Sequence, residues 1–260
     1  VCVPSSKRER EYERRRYEKW QERRNAKRAR RRRQQVIAGS VVGVLVLGVG
    51  VAAALLLTGD DEPATTATDA PSTTATTPAA RTGNGGVVPD AALAEGRTWT
   101  GTISTTQGEV GVELDGAAAP QAVANFVTLA QEGYFDGTDC HRLVTSGIYV
   151  LQCGDPTGTG TGSPGYAFGP VENAPADDVY PAGTIAMARQ GGNGESMGSQ
   201  FFLVYEDSTI PSDEAGGYTV FGRITSGLDV VQAVADAGVS GGASDGTPAT
   251  PVTIEGVETQ

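Results

Sequence analysis

His141 is the only histidine in this chain of 260 residues, and the cysteines number three, Cys2, Cys140 and Cys153. Those counts bound the chemistry first. Three thiols cannot build a four-cysteine zinc centre or a disulfide-dense scaffold, and one imidazole cannot build a histidine-rich metal site. Ser-His-Asp hydrolysis would have to use His141, which no nucleophile-elbow motif accompanies. Beyond residue 96 there are four basic side chains, Arg97, Arg142, Arg189 and Arg223, against 20 acidic ones. A guanidinium is a donor that stays charged at any physiological pH. Further along, Gln200 directly precedes Phe201 and Phe202, and a polar group so placed needs a partner.

The elements that must position these residues are short. TWTGTISTT, Gly108 and EVGVEL read as a hairpin whose second arm alternates Val110, Val112 and Leu114 inward. Pro120 suits a first helical turn, Val123, Phe126, Val127 and Ala130 follow helical spacing, and Gly133 marks the end. Strands are predicted at Cys140–Val144, Tyr149–Cys153, Thr184–Ala188, Phe201–Tyr205 and Tyr218–Ile224. Val230, Val231 and Val234 predict a second helix closed by Gly238, and Val252, Ile254 and Val257 a last strand. Many short strands with two helices predict a mainly β fold, a closed antiparallel barrel with helical plugs, which would protect its strand edges. His141, next to Arg142 on a strand, should point to the opposite face, in a hydrogen-bonded structural role. Cys140 and Cys153 bracket a hairpin. If they face each other in the ladder, Arg142 faces Leu151 and Val144 faces Tyr149, and a Cys140–Cys153 disulfide is expected; two buried thiols are the alternative.

Charge is segregated. Residues 1–35 hold 15 basic and 5 acidic side chains, a net of +10, and residues 36–260 hold 5 and 26, a net of −21. Between these regimes Val36 to Leu57 runs 22 residues without a charge. As a helix it would reach roughly 33 Å, enough to cross a hydrocarbon core. Arg30 to Arg33 precede it and Asp60, Asp61 and Glu62 follow, so residues 1–35 are expected in the cytoplasm and the remainder outside. Cleavage at Ala52–Ala54 is the alternative to an uncleaved signal-anchor. Residues 58–96, rich in Thr, Ala and Pro, read as a disordered linker, and residues 97–260 as one folded domain. That domain, with its acidic excess, should repel nucleic acid and anionic lipid. The basic segment reads as a solvated helix that fixes topology, or as a tail that adheres to anionic lipid or meets an RNA or protein partner.

CHRLVTSGIYVLQCGDP, GTIAMAR, MGSQFFLVY and YTVFGRI occur in that order, after a helix reading ANFVTLAQEGYFDGT. Together they resemble the cyclophilins, the peptidyl-prolyl cis-trans isomerases, from Thr98 to Glu258. The resemblance implies an eight-stranded antiparallel barrel with two capping helices and an outer groove for a Xaa-Pro segment. It implies catalytic roles for Arg142 and Gln152. Tyr149 and Val150 would line the proline pocket, Ala188 and Arg189 would contact the substrate backbone, and Phe202 would form the floor. Gln200, Ile210 and Tyr218 complete the implied substrate-binding set. The family pattern has a tryptophan near the groove rim that is absent around Ser208–Pro211. No metal or cofactor is implied. The expected partners are proline-containing polypeptides folding outside the cell, handled by a monomer held to the membrane by its one transmembrane helix. The rival reading is a proline-motif binding module or holdase on the same barrel.

Overall fold

The computed structural model describes residues 81–260. The basic segment, the charge-free run at 36–57 and most of the expected linker lie outside the described residues. Among the described residues no helix is long and apolar enough to cross a membrane.

Eight strands of four to eight residues carry the fold: β1 (Thr98–Thr105), β2 (Gly108–Asp115), β4 (Arg142–Ser146), β5 (Ile148–Cys153), β7 (Thr184–Met187), β8 (Phe201–Val204), β10 (Val220–Ser226) and β12 (Thr253–Thr259). Four two-residue strands join them: β3 (Thr138–Asp139), β6 (Val179–Tyr180), β9 (Ser208–Thr209) and β11 (Asp245–Gly246). The main sheet runs β11-β4-β5-β8-β7-β10-β2-β1-β12-β3, all antiparallel, and β6 pairs separately with β9.

The ladder forms a half-barrel and does not close, contrary to the expectation of a closed barrel. β3 and β4 occupy opposite regions of the strand order yet are joined by Cys140 and His141 alone. The chain crosses there from one end of the ladder to the other, Thr138 and Asp139 pairing with β12 and Arg142 to Ser146 with β5. The free edge of β4 is covered instead by β11, with Asp245 opposite Val144 and Gly246 opposite Leu143.

Helix α1 (Pro120–Gln131) packs its apolar face into the interior, and α2 (Leu228–Ala237) buries Val231 and Val234. The first helical amides of α1 are capped from a distance: the Glu172 carboxylate accepts from Gln121 N and Ala122 N, both at 3.0 Å. Phe126 centres the core, its ring 5.1 Å from Phe135 and 5.3 Å from both Phe201 and Phe221. Such pairs add about 0.5–1.5 kcal/mol each beyond burial.

Period-two alternation divides the sheet into two apolar faces. Leu143, Leu151, Phe201, Leu203, Ile185 and Met187 point into the core. Val144, Val150, Phe202, Val204 and Ala186 point outward, where Tyr180 and Ile210 bury them in a second cluster. That outer cluster is the floor of the site described below.

The folded unit also begins earlier than expected. Arg81–Gly96, assigned by composition to the disordered linker, lie against the domain. Arg81 Nη1 donates to the carbonyls of Tyr134 and Asp136 at 3.1 and 2.6 Å. Gly83 N donates to Pro164 O at 2.9 Å, and a Cβ on this buried glycine would collide with Leu129. Ala94 is buried and accepts from Trp99 Nε1 at 2.9 Å, with the Arg97 guanidinium 3.7 Å over the same indole. A few anchors suffice to order a polar segment whose average composition is linker-like.

Candidate active site

Arg142, Gln152, Phe202, Ala186 and Val220 stand opposite one another on five neighbouring strands, one rung across β4, β5, β8, β7 and β10. On the outer face of this rung is a cavity of about 150 Å³, lined by Arg142, Ile148, Val150, Gln152, Ala188, Arg189, Phe202, Ile210 and Tyr218. Phe202, Val150 and Ile210 are buried. The Tyr218 ring closes edge-on over Phe202, centroids 5.5 Å apart. The hollow is therefore greasy at its base and polar at one lip.

That lip is a hydrogen-bond relay. Arg142, its side chain 42% exposed, donates through Nε and Nη2 to the two Asp245 carboxylate oxygens, each at 2.8 Å. Its Nη1 donates to Gln152 Oε1 at 3.3 Å. Gln152 Nε2 donates to Gln200 Oε1 at 2.9 Å, and Gln200 Nε2 donates to the carbonyls of Gly160 and Gly162 at 3.1 and 2.9 Å. Three of the five guanidinium N–H groups are thus engaged and two remain, on Nη1 and Nη2. Hydrogen bonding to Asp245 raises the Arg142 pKa, and the same bonds hold the Asp245 carboxyl below its ordinary value. Gln200 lies on the wall of an adjoining cavity of about 710 Å³, which shares Gln152, Ala188 and Arg189 with the first.

Two sequence expectations change. Arg189, expected to contact the substrate backbone, has its side chain only 1% exposed. Its Nε donates to Gly217 O, Nη1 to Gln190 O and Asp213 Oδ2, and Nη2 to Asp213 Oδ1 and Gly216 O. All five donors are occupied within the protein. Only its backbone is free to meet a ligand; the guanidinium lies 4.7 Å over the Tyr218 ring and braces it. Tyr149 is not in the cavity either. It packs against the interior cluster, 6.0 Å from Tyr205, while Ile148 takes the place beside Val150.

The disulfide between Cys140 and Cys153 is present. Its implied register is not: Arg142 faces Gln152, Val144 faces Val150 and Thr145 faces Tyr149. The hairpin turns on Gly147, whose φ of +92° suits glycine, so the ladder is symmetric about that residue and one place away from the expected pairing. The bridge links Cys140, just before β4, to the last residue of β5. His141 also differs from expectation, since both ring nitrogens are buried without a hydrogen-bond partner.

A sequence model described as "Cyclophilin type peptidyl-prolyl cis-trans isomerase/CLD" matches residues 100–259. The chain belongs to the cyclophilin family. Among curated relatives, the "Probable peptidyl-prolyl cis-trans isomerase B" of Mycobacterium tuberculosis is 49% identical over 168 residues, 60% of this chain and 53% of that protein. The Helicobacter pylori "Peptidyl-prolyl cis-trans isomerase" is 43% identical over 140 residues, 53% of this chain and 81% of that one. The chain spans about half the length of the mycobacterial relatives. A crystal structure of a Cryptosporidium parvum cyclophilin type isomerase superposes with a TM-score of 0.53 at 26% identity, covering 63% of this chain and 98% of that one. A second crystal structure of that protein, in the presence of the dipeptide Ala-Pro, gives 0.52 at 26% identity, covering 62% and 98%.

Sequence reasoning missed three residues of this cyclophilin groove. Ile148 was available from parity, because Val150 facing outward places Ile148 outward and Tyr149 inward. Asp213 and Asp245 carried no local signal; they lie 24 and 103 residues from the arginines that they hold.

Proposed function

We propose that this domain is a peptidyl-prolyl cis-trans isomerase that rotates Xaa-Pro bonds of polypeptides folding outside the cytoplasm. The observation that carries the reading is the meeting of an apolar pocket with the two unoccupied N–H groups of Arg142 at its lip. Amide rotation is slow because resonance gives the C–N bond double-bond character, with a barrier of roughly 18–20 kcal/mol. No bond to a heavy atom is broken. Phe202, Val150, Ile148 and Ile210 would grip the proline ring and leave the preceding carbonyl free to swing. As the amide twists, the prolyl nitrogen recovers its lone pair, and Arg142 would donate to it. A bond made only in the twisted state lowers the barrier rather than tightening ground-state binding. Gln152 orients the guanidinium, and Gln200 ties Gln152 to the 160–162 loop.

The extracytoplasmic, membrane-held placement rests on the charge-free run at 36–57, its basic and acidic flanks, and a disulfide suited to an oxidising compartment. The activity test is an isomerase assay on a Xaa-Pro peptide with residues 81–260, the docked N-terminal segment included, wild type beside Arg142→Ala. Acceleration by the wild type and its loss in the variant are expected. Peptide binding without acceleration would instead favour the binding-module reading.

A further inference from the structure

We propose that Asp245 is a positioning residue for the isomerase reaction, a clamp that aims the donors of Arg142 into the groove. The inference rests on the catalytic reading of Arg142 above. An arginine on a strand surface with a side chain 42% exposed has many accessible rotamers. Asp245 removes that freedom by engaging Nε and Nη2 together, a two-point contact that fixes the guanidinium plane as well as its place. The edge left over is the one bearing Nη1 and the second Nη2 hydrogen, and the Gln152 contact on Nη1 sets its direction.

The segment that delivers Asp245 is itself pinned. β11 pairs with the outer edge of β4, Ser244 O accepts from Thr145 N at 2.8 Å, and Thr247 O accepts from Ser240 N at 2.8 Å. The edge strand that takes the place of barrel closure therefore has a second use, which is to bring a carboxylate from 103 residues away to the lip of the groove. Its contribution to stability is small, because an ion pair this exposed is screened by solvent. The gain lies in geometry.

The test uses the full 260-residue chain. Asp245→Asn keeps the shape but removes the charge and leaves one acceptor oxygen where two are needed. It should lower kcat about tenfold, as a misaimed catalytic group does, with peptide affinity unchanged and the melting temperature moved by no more than about 2 °C. In Arg142→Ala the clamp has nothing to hold, so Arg142→Ala/Asp245→Asn should be as slow as Arg142→Ala alone. Wild-type kcat in Asp245→Asn, or further slowing by it in the Arg142→Ala background, would overturn the proposal. Independently of turnover, the Arg142 Nε–H resonance should exchange slowly with water in the wild type and quickly in Asp245→Asn; fast exchange in both would also overturn it. An inactive wild-type chain would count against the catalytic reading, and the resonance would still decide the clamp.

Discussion

The two arginines of the groove start from the same chemistry and end in opposite states. Arg142 is well exposed, held on one edge by Asp245, and keeps two N–H groups for a ligand. Arg189 is enclosed, and its five N–H groups go to Asp213 and to the carbonyls of Gln190, Gly216 and Gly217. A guanidinium with no free donor cannot stabilise a twisted amide, however close it sits. It can hold a loop and the face of Tyr218. Presence in the lining of a groove therefore does not assign a role; the tally of unused donors does.

Exchanging the two losses is the sharpest way to break this contrast. Arg142→Ala should cost roughly 10²–10³-fold in kcat/KM, the range seen when a donor to a transition state is removed, with little change in melting temperature. Arg189→Ala should do the reverse at first. It strips partners from Asp213 and three carbonyls, so the melting temperature should fall by roughly 5–10 °C. Activity should follow only as far as Tyr218 loses its support. Peptide turnover beside thermal melts of both variants checks this, and equal losses of activity at wild-type stability would erase the distinction.

A smaller effect separates the two faces of β5 in the same way. Ile148→Ala enlarges the outer cavity, and on the proposed reading peptide affinity should fall roughly tenfold with stability nearly kept. Tyr149→Ala opens the interior side against Tyr205, costing about 1–2 kcal/mol of stability, with kcat/KM within about twofold of wild type. Titration of a Xaa-Pro peptide and denaturant unfolding of each variant would show whether the faces are as separate as alternation makes them.

Local rules were enough for most of the fold. The Pro120–Gln131 helix, its glycine after the end and the eight longer strands follow from spacing and turn residues over windows of a dozen positions. The site around Arg142, Gln152, Gln200 and Phe202 was legible only through the resemblance of its motifs to the cyclophilins, not from spacing. What composition and spacing could not carry is long-range. The Gly147 turn shifted a register by one, β11 rather than a closing strand covers the edge of β4, and Asp245 and Asp213 reached their arginines from distant positions in the chain. Arg81–Gly96 were misassigned because composition averages over the few anchors, Gly83 and Ala94 among them, that dock the segment.

The lone histidine offers the finest probe of the contrast, because one imidazole gives one titrating signal. Burial, before any charge, disfavours the protonated ring of His141; Asp155 opposes that shift and Arg142 adds to it, so its pKa lies below the ordinary 6.5. The unfolded chain then binds the extra proton first as pH falls. His141 accordingly contributes stability that is fully present above pH 6.5 and is lost as pH drops through the lower folded value. Asp213 and Asp245, held below the ordinary carboxylate pKa, stay ionised over that window and lose their contribution only at more acid pH. Stability should therefore decline between about pH 7 and 5 in the wild type and more weakly in His141→Gln, as read from thermal melts across that range. Removing each arginine in turn then ties the histidine to one end of the groove. Arg142→Ala should move the NMR titration of His141 upward, because a neighbouring positive charge is gone, and Arg189→Ala should leave it in place. A folded-state midpoint at or above 6.5, or equal shifts in both variants, would show that the imidazole does not sense the Arg142 guanidinium.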